Sequence, residues 1–292
     1  MKLFPDKLSQ TGLFAEITER ILDAGVESYA PRFELWSDGA SKLRWIALPA
    51  GQKIDSQDWN MWSFPKGTKL WKEFRVGSKL VETRLLQKFS HSDKSWGGVS
   101  YIWNNAGTEA YKAVWGGVDV NGTELNVPAA AECMGCHGGR KNRVLGFSAI
   151  QLSASGSPGD IDLADIATRG WLSNIKDLGK TLPGTPTELA ALGYLHANCS
   201  HCHNADRPND DDFRCFDPQR DFSFLLTAED SIEKTETYRT ALGRVLKKGN
   251  SARNIAIRKM KSRNRYYGMP PIGTEHIDEN GIAIVREWID GL

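Results

Sequence analysis

The chain is sparing in the side chains that bind metals and sulfur: of 292 residues only 5 are Cys, 5 are Met and 6 are His. So few thiols cannot build the disulfide lattice of a small secreted scaffold, and a chain this long can bury a core without one. Net charge is nearly absent, with 37 basic against 36 acidic side chains. Both signs are scattered, so no basic stripe argues for nucleic acid. No apolar run approaches the roughly 20 residues of a membrane span, and the opening residues from Met1 to Asp6 lack the apolar stretch of an export signal. What is present is 40% hydrophobic content, enough for two domains of ordinary size.

The rare residues are concentrated. Cys133-Met134-Gly135-Cys136-His137 and Cys199-Ser200-His201-Cys202-His203 both read C-x-x-C-H and together use four of the five cysteines. This is the attachment signature of c-type haem. The spacing puts two thiols on one short turn, where each can add across a porphyrin vinyl group, and delivers the following imidazole to iron. Zinc would want a second C-x-x-C or a spaced His pair for each site, and a redox dithiol has no need of the trailing His. The expected cofactors are therefore two covalently attached haems, with Cys133, Cys136, Cys199 and Cys202 as anchors and His137 and His203 as proximal iron ligands. Cys215 has no spare partner and is expected to be a buried, inert thiol.

The composition changes near residue 128. Eight of the ten tryptophans precede it: Trp36, Trp45, Trp59, Trp62, Trp71, Trp96, Trp103 and Trp115. They sit among short aromatic and β-branched runs that read as strands over 42–48, 69–76, 80–89, 98–103 and 110–115, separated by Pro, Gly and Asn clusters. Even spacing predicts an antiparallel sandwich or barrel over 1–127. Residues 128–182 read as a connector that carries the first motif, too short to enclose a haem without walls borrowed from its neighbours. Residues 183–292 read as all-α. Thr185 with Pro186 and Glu188 is a helix start signal, the helix runs into Cys199, and Asp278 opens a last helix bearing Ile282, Ile284, Val285 and Trp288 before Gly291. The predicted class is α+β, with these three parts.

Between those helices lies Tyr267-Gly268-Met269-Pro270-Pro271-Ile272-Gly273. A thioether suits low-spin haem iron, and the prolines stiffen the loop that carries it. Met269 is expected to be the sixth ligand of haem 2. For haem 1 the candidates are Met260, Met61 and His91, or an open position. Met134 and His201 lie inside the attachment loops, His196 is expected to pack or hydrogen-bond, and His276 to sit on an exposed turn.

On these residues, 185–292 resembles a class I cytochrome c domain, matching at Cys199, Cys202, His203, Met269, Pro270 and Trp288. The wider chain resembles a family of bacterial dihaem c-type cytochromes with a β-rich N-terminal region. The matching segments are Leu35 to Trp45, Ser63 to Thr68, Glu82 to Leu85 and Tyr101 to Asn104. The resemblance implies a class I all-α C-terminal fold and a periplasmic dihaem protein that exchanges electrons with redox partner proteins, since thioether attachment normally takes place outside the cytoplasmic membrane. The chain beginning at Met1 is then expected to be a trimmed mature form. A dihaem peroxidase-like enzyme, with haem 1 open to a small oxidant, is the alternative. Against it, no distal acid-base pair stands out, and Arg140, Lys141 and Arg143 read as partners for propionates. A third reading makes the β domain a docking module for a redox partner, which exposure of Trp59 and Trp62 would favour.

Overall fold

A computed structural model describes residues 3–59, 61–154, 156–174, 180–205, 207, 221–264 and 266–292. Cys215 lies outside the described residues. A short hairpin of β1 (Phe14–Glu16) and β2 (Ile21–Leu22) precedes an antiparallel sheet of six strands. These are β3 (Val26–Ser28), β4 (Ser41–Ala47), β5 (Lys69–Val76), β6 (Lys79–Lys88), β7 (Trp96–Trp103) and β8 (Ala110–Ala113), ordered in the sheet as in the chain. The helices are α1 (Cys133–His137), α2 (Leu163–Thr168), α3 (Pro186–Cys199), α4 (Ile255–Met260) and α5 (Glu279–Asp290).

The five strands expected from composition are present, each within two residues of its expected limits. The sandwich or barrel is not: the strands form one open meander. Register explains what covers its faces. Trp45, Trp71, Leu85 and Val99 stand in one row across four strands, packed against Leu8, Leu13 and Phe14 of the N-terminal segment. Trp71 donates its indole N–H to Thr11 Oγ1 at 3.1 Å, and Trp103 to Thr83 Oγ1 at 3.0 Å. On the opposite face Ile46, Leu70 and Leu86 stand in register and join a large core that also takes Phe147, Leu192 and Trp288. With both faces covered, Lys69–Val76 cannot show a clean in-out alternation. The shared core crosses both boundaries, 127/128 and 182/183.

The expected all-α class I domain over 183–292 is not evident, and the fold class is corrected to a mostly β protein. Its two long helices form as the caps dictate. Thr185 and Glu188 make a reciprocal capping box at the start of α3, and Asp278 accepts from Gly281 N–H at the start of α5. Between them the described residues give only α4 and isolated turns at 232–234, 237–241 and 251–253. Gly243 and Gly249 adopt positive φ there, and runs this short cannot repay helix nucleation. Among the described residues no helix is long and apolar enough to cross a membrane.

Candidate functional site: two adjoining cavities

The second motif lies at the end of α3, where Cys199 closes the helix and Cys202 and His203 form the next turn. A cavity of about 310 Å³ opens beside them. Its walls include Cys199, Cys202, His203, Leu195, Met260 and Met269. Phe222 stacks on the His203 ring with centroids 4.7 Å apart, and Phe224 meets it edge-on at 5.9 Å. Phe224 N–H also donates to the His203 carbonyl at 3.1 Å. These contacts fix the imidazole on one side.

Met269 is brought to this cavity by its loop. Its N–H donates to the Lys259 carbonyl at 3.0 Å. The Arg263 guanidinium then gathers the segment, donating from Nη2 to the carbonyls of Met269 at 2.7 Å and Met260 at 3.1 Å, and from Nη1 to Thr274 Oγ1 at 2.6 Å. Met260, expected as a candidate for the first site, also lines this cavity and is buried at the end of α4. That is a correction to its placement.

The first motif forms α1, laid on the sheet at Gly98. A Cβ on Gly98 would stand 3.0 Å from both Cβ and Sγ of Cys133, so a larger residue on β7 would push the thiol off the sheet. The cavity here is larger, about 540 Å³. Cys133, Cys136 and His137 line it, as do Arg44, Lys72 and Arg84 from the sheet and His196 and His201 from the second motif's side. Trp115 and Val118 at its wall are 90% and 77% exposed, apolar surface of the kind a bound group would cover. Met61 and His91, the other candidates for the first site, line neither cavity.

His137 is set up to donate an electron pair from Nε2. Its Nδ1 lies 2.6 Å from the Arg143 carbonyl, so Nδ1 carries the proton. Arg143 holds a left-handed backbone, φ 61°, that turns this carbonyl towards the ring, and its guanidinium donates to the Gly138 carbonyl. The loop is thus strained to orient one imidazole. Burial pulls the His137 pKa down to about 4, so the ring stays neutral at ordinary pH. Lys141, expected as a propionate partner, is exposed, whereas Arg140 is buried at the cavity wall.

His196 makes the hydrogen bond expected of it. Its Nδ1 accepts from Leu226 N–H at 3.1 Å, and burial pulls its pKa down to about 3. With Nδ1 occupied as an acceptor, Nε2 carries the proton and offers a donor rather than a lone pair. His276 is half-exposed beside Glu124 at 3.3 Å.

The four motif cysteines are free thiols. Burial pushes Cys133 up to about 11 and Cys199 and Cys202 up to about 12, and raises Cys136 as well. Among the described residues no group of three or more His, Cys, Asp or Glu is placed to hold a bare metal ion. Each cavity instead presents a thiol pair and the imidazole that follows it, against mostly apolar walls in the second and mixed apolar and basic walls in the first. That donor set, in cavities of cofactor size, fits a thioether-linked porphyrin.

The two sites adjoin, which nothing in the motif spacing foretold. Cys136 and His201 line both cavities, as does Trp36, whose N–H donates to Asn198 Oδ1 at 2.7 Å. The backbone after His137 touches the second motif directly. A Cβ on Gly139 would lie 1.5 Å from the His201 carbonyl oxygen, and Asn204 donates to the Gly139 carbonyl at 3.1 Å. Trp59 and Trp62, whose exposure would have favoured a docking role, are buried at 7% and 1%. Comparison of this chain with protein-family models, curated proteins and solved structures found no match.

Proposed function

We propose that this chain is a dihaem c-type electron-transfer protein of the periplasm, passing single electrons between external redox proteins. The observation that carries the reading is the pairing of two C-x-x-C-H turns, each opening on a cavity, with Gly139 after the first against His201 of the second. When bound, the haems would supply reversible one-electron chemistry at iron. The protein's own residues do the rest. Cys133, Cys136, Cys199 and Cys202 anchor, and His137 and His203 each present a neutral or ring-packed imidazole. Met269 offers sulfur on a loop fixed by Arg263. The Phe222–Phe224 pair covers one side of the second imidazole.

The second reading, a peroxidase-like enzyme, draws on one feature of the first cavity. Its walls contain no methionine among the described residues, and His196 contributes a neutral ring with a proton on Nε2. Optical and EPR spectra of the oxidised holoprotein, before and after cyanide, separate the two. Low-spin iron that ignores cyanide supports the relay, whereas a high-spin centre that binds cyanide supports an open first site. Changing both Cys133 and Cys136 to Ala should leave one covalently held haem per chain; two would remove the first motif from the account.

A further inference from the structure

Across β4, β5 and β6, Arg44, Lys72 and Arg84 stand directly opposite one another. All three side chains line the first cavity. Neighbouring cross-strand residues have Cβ atoms about 5 Å apart, and like charges so placed repel. Such a rank persists only where anions answer it. Two carboxylates do so in part: Glu34 accepts from Arg44 Nη1 at 3.0 Å, and Glu82 pairs with Arg84.

What is left over is specific. Arg44 is 6% exposed, and its Nη2 is buried without a hydrogen-bond partner among the described residues. No carboxylate among the described residues pairs with Lys72, whose ammonium lies 4.8 Å from the centre of the Phe74 ring. Burial first, then Arg44 and Arg84, holds the Lys72 pKa well below the usual lysine range. One buried guanidinium nitrogen without an acceptor and one lysine without a carboxylate partner therefore belong to the same cavity lining as Cys133 and Cys136. A buried donor with no acceptor is unfavourable, so the site calls for an acceptor that the described residues do not supply.

Resting on the dihaem reading, we infer that Arg44 and Lys72, backed by Arg84, receive the two propionate carboxylates of the haem that Cys133 and Cys136 attach. Arg44 answers one carboxylate through Nη2 and Lys72 the other as a charged ammonium, giving charge-assisted hydrogen bonds on both. A soluble dicarboxylate would offer the same chemistry, so the test separates the two sources.

The experiment uses holoprotein carrying Lys72→Met or Lys72→Arg, with haem content, spin state and the reduction potential of each haem measured for each. Removing a cation beside the haem favours the oxidised form. Lys72→Met should therefore keep two low-spin haems and shift one reduction equilibrium about tenfold towards oxidation, about 59 mV for one electron, while Lys72→Arg restores the wild-type potential. Two haems with both potentials unchanged in Lys72→Met overturn the assignment but leave the dihaem reading intact; wild-type protein without covalent haem overturns that reading. Conversion of a haem to high spin in Lys72→Met makes Lys72 an iron ligand and overturns the propionate role. Saturable displacement of the wild-type potential by succinate assigns the site to a soluble anion, with the same effect.

Discussion

Replacing Gly139 with Ala tests the junction between the two motifs. A Cβ there would stand 1.5 Å from the His201 carbonyl oxygen, 2.5 Å from Arg207 Nη1 and 2.7 Å from the His201 carbonyl carbon. The arginine end can swing away, but the carbonyl is backbone. Real Cβ contacts hold 3.0 Å or more, so the two segments must part by about 1.5 Å. Overpacking a tight site costs about 1–3 kcal/mol and occasionally more, and the Asn204 bond to the Gly139 carbonyl, worth about 1 kcal/mol, is strained or lost with it. The expected total is about 3 kcal/mol, a fall in Tm of roughly 6–12 °C on the scaling for domains of this size. Denaturant unfolding of the holoprotein measures it, with electron exchange between the haems slowed in the same variant. A Gly139→Ala protein of unchanged stability and unchanged exchange rate would refute the direct contact between the motifs.

Met269→Ala should convert one haem to high spin and lower its potential, whereas Met260→Ala should keep the ligation and lose about 2–5 kcal/mol of packing; spectra with the opposite pattern would transfer the ligand role to Met260. Arg263→Gln removes the clamp on the Met260 and Met269 carbonyls, and a mixture of low- and high-spin forms at the second haem is expected; a homogeneous wild-type spectrum would show the loop holds itself. Buried His196 titrates at about 3 against 6.5 for the free side chain. The unfolded chain therefore takes up a proton that the native state refuses. Each pH unit below 6.5 removes up to about 1.4 kcal/mol until about pH 3, and nothing is lost above 6.5. Comparing acid unfolding of His196→Gln with wild type checks this, because the variant should lose less stability over that window.

The two C-x-x-C-H pentapeptides are legible as candidate attachment turns because the pattern is local, and the structure sets each beside a cavity. Breaker clusters likewise marked five strands, and paired capping residues marked α3 and α5. The errors lie where distant parts meet. Lys72 and Glu73 blur the alternation of β5 because its two faces serve different cores, which a single strand cannot reveal. The all-α expectation over 183–292 failed because sound helix signals at two ends were extended across a stretch punctuated by Gly243 and Gly249. Met260 stood among the open candidates for the first site, and nothing in its own segment shows that the end of α4 faces the second cavity. Arg44, Lys72 and Arg84 lie far apart in sequence and far from Cys133, so only strand register brings them to one site. Arg263 was missed for a different reason: its work is done on backbone carbonyls, which leave no pattern in side-chain spacing.

The central claim is that each C-x-x-C-H turn carries a covalently bound haem. Haem content per chain after full denaturation, measured as the pyridine haemochrome on protein freed of loosely held porphyrin, tests it most directly. Two haems per chain are predicted, falling to one when Cys133 and Cys136, or Cys199 and Cys202, are changed to Ala together and to none when all four are changed. A denatured wild-type chain without haem, made in cells competent for thioether attachment, would contradict the account.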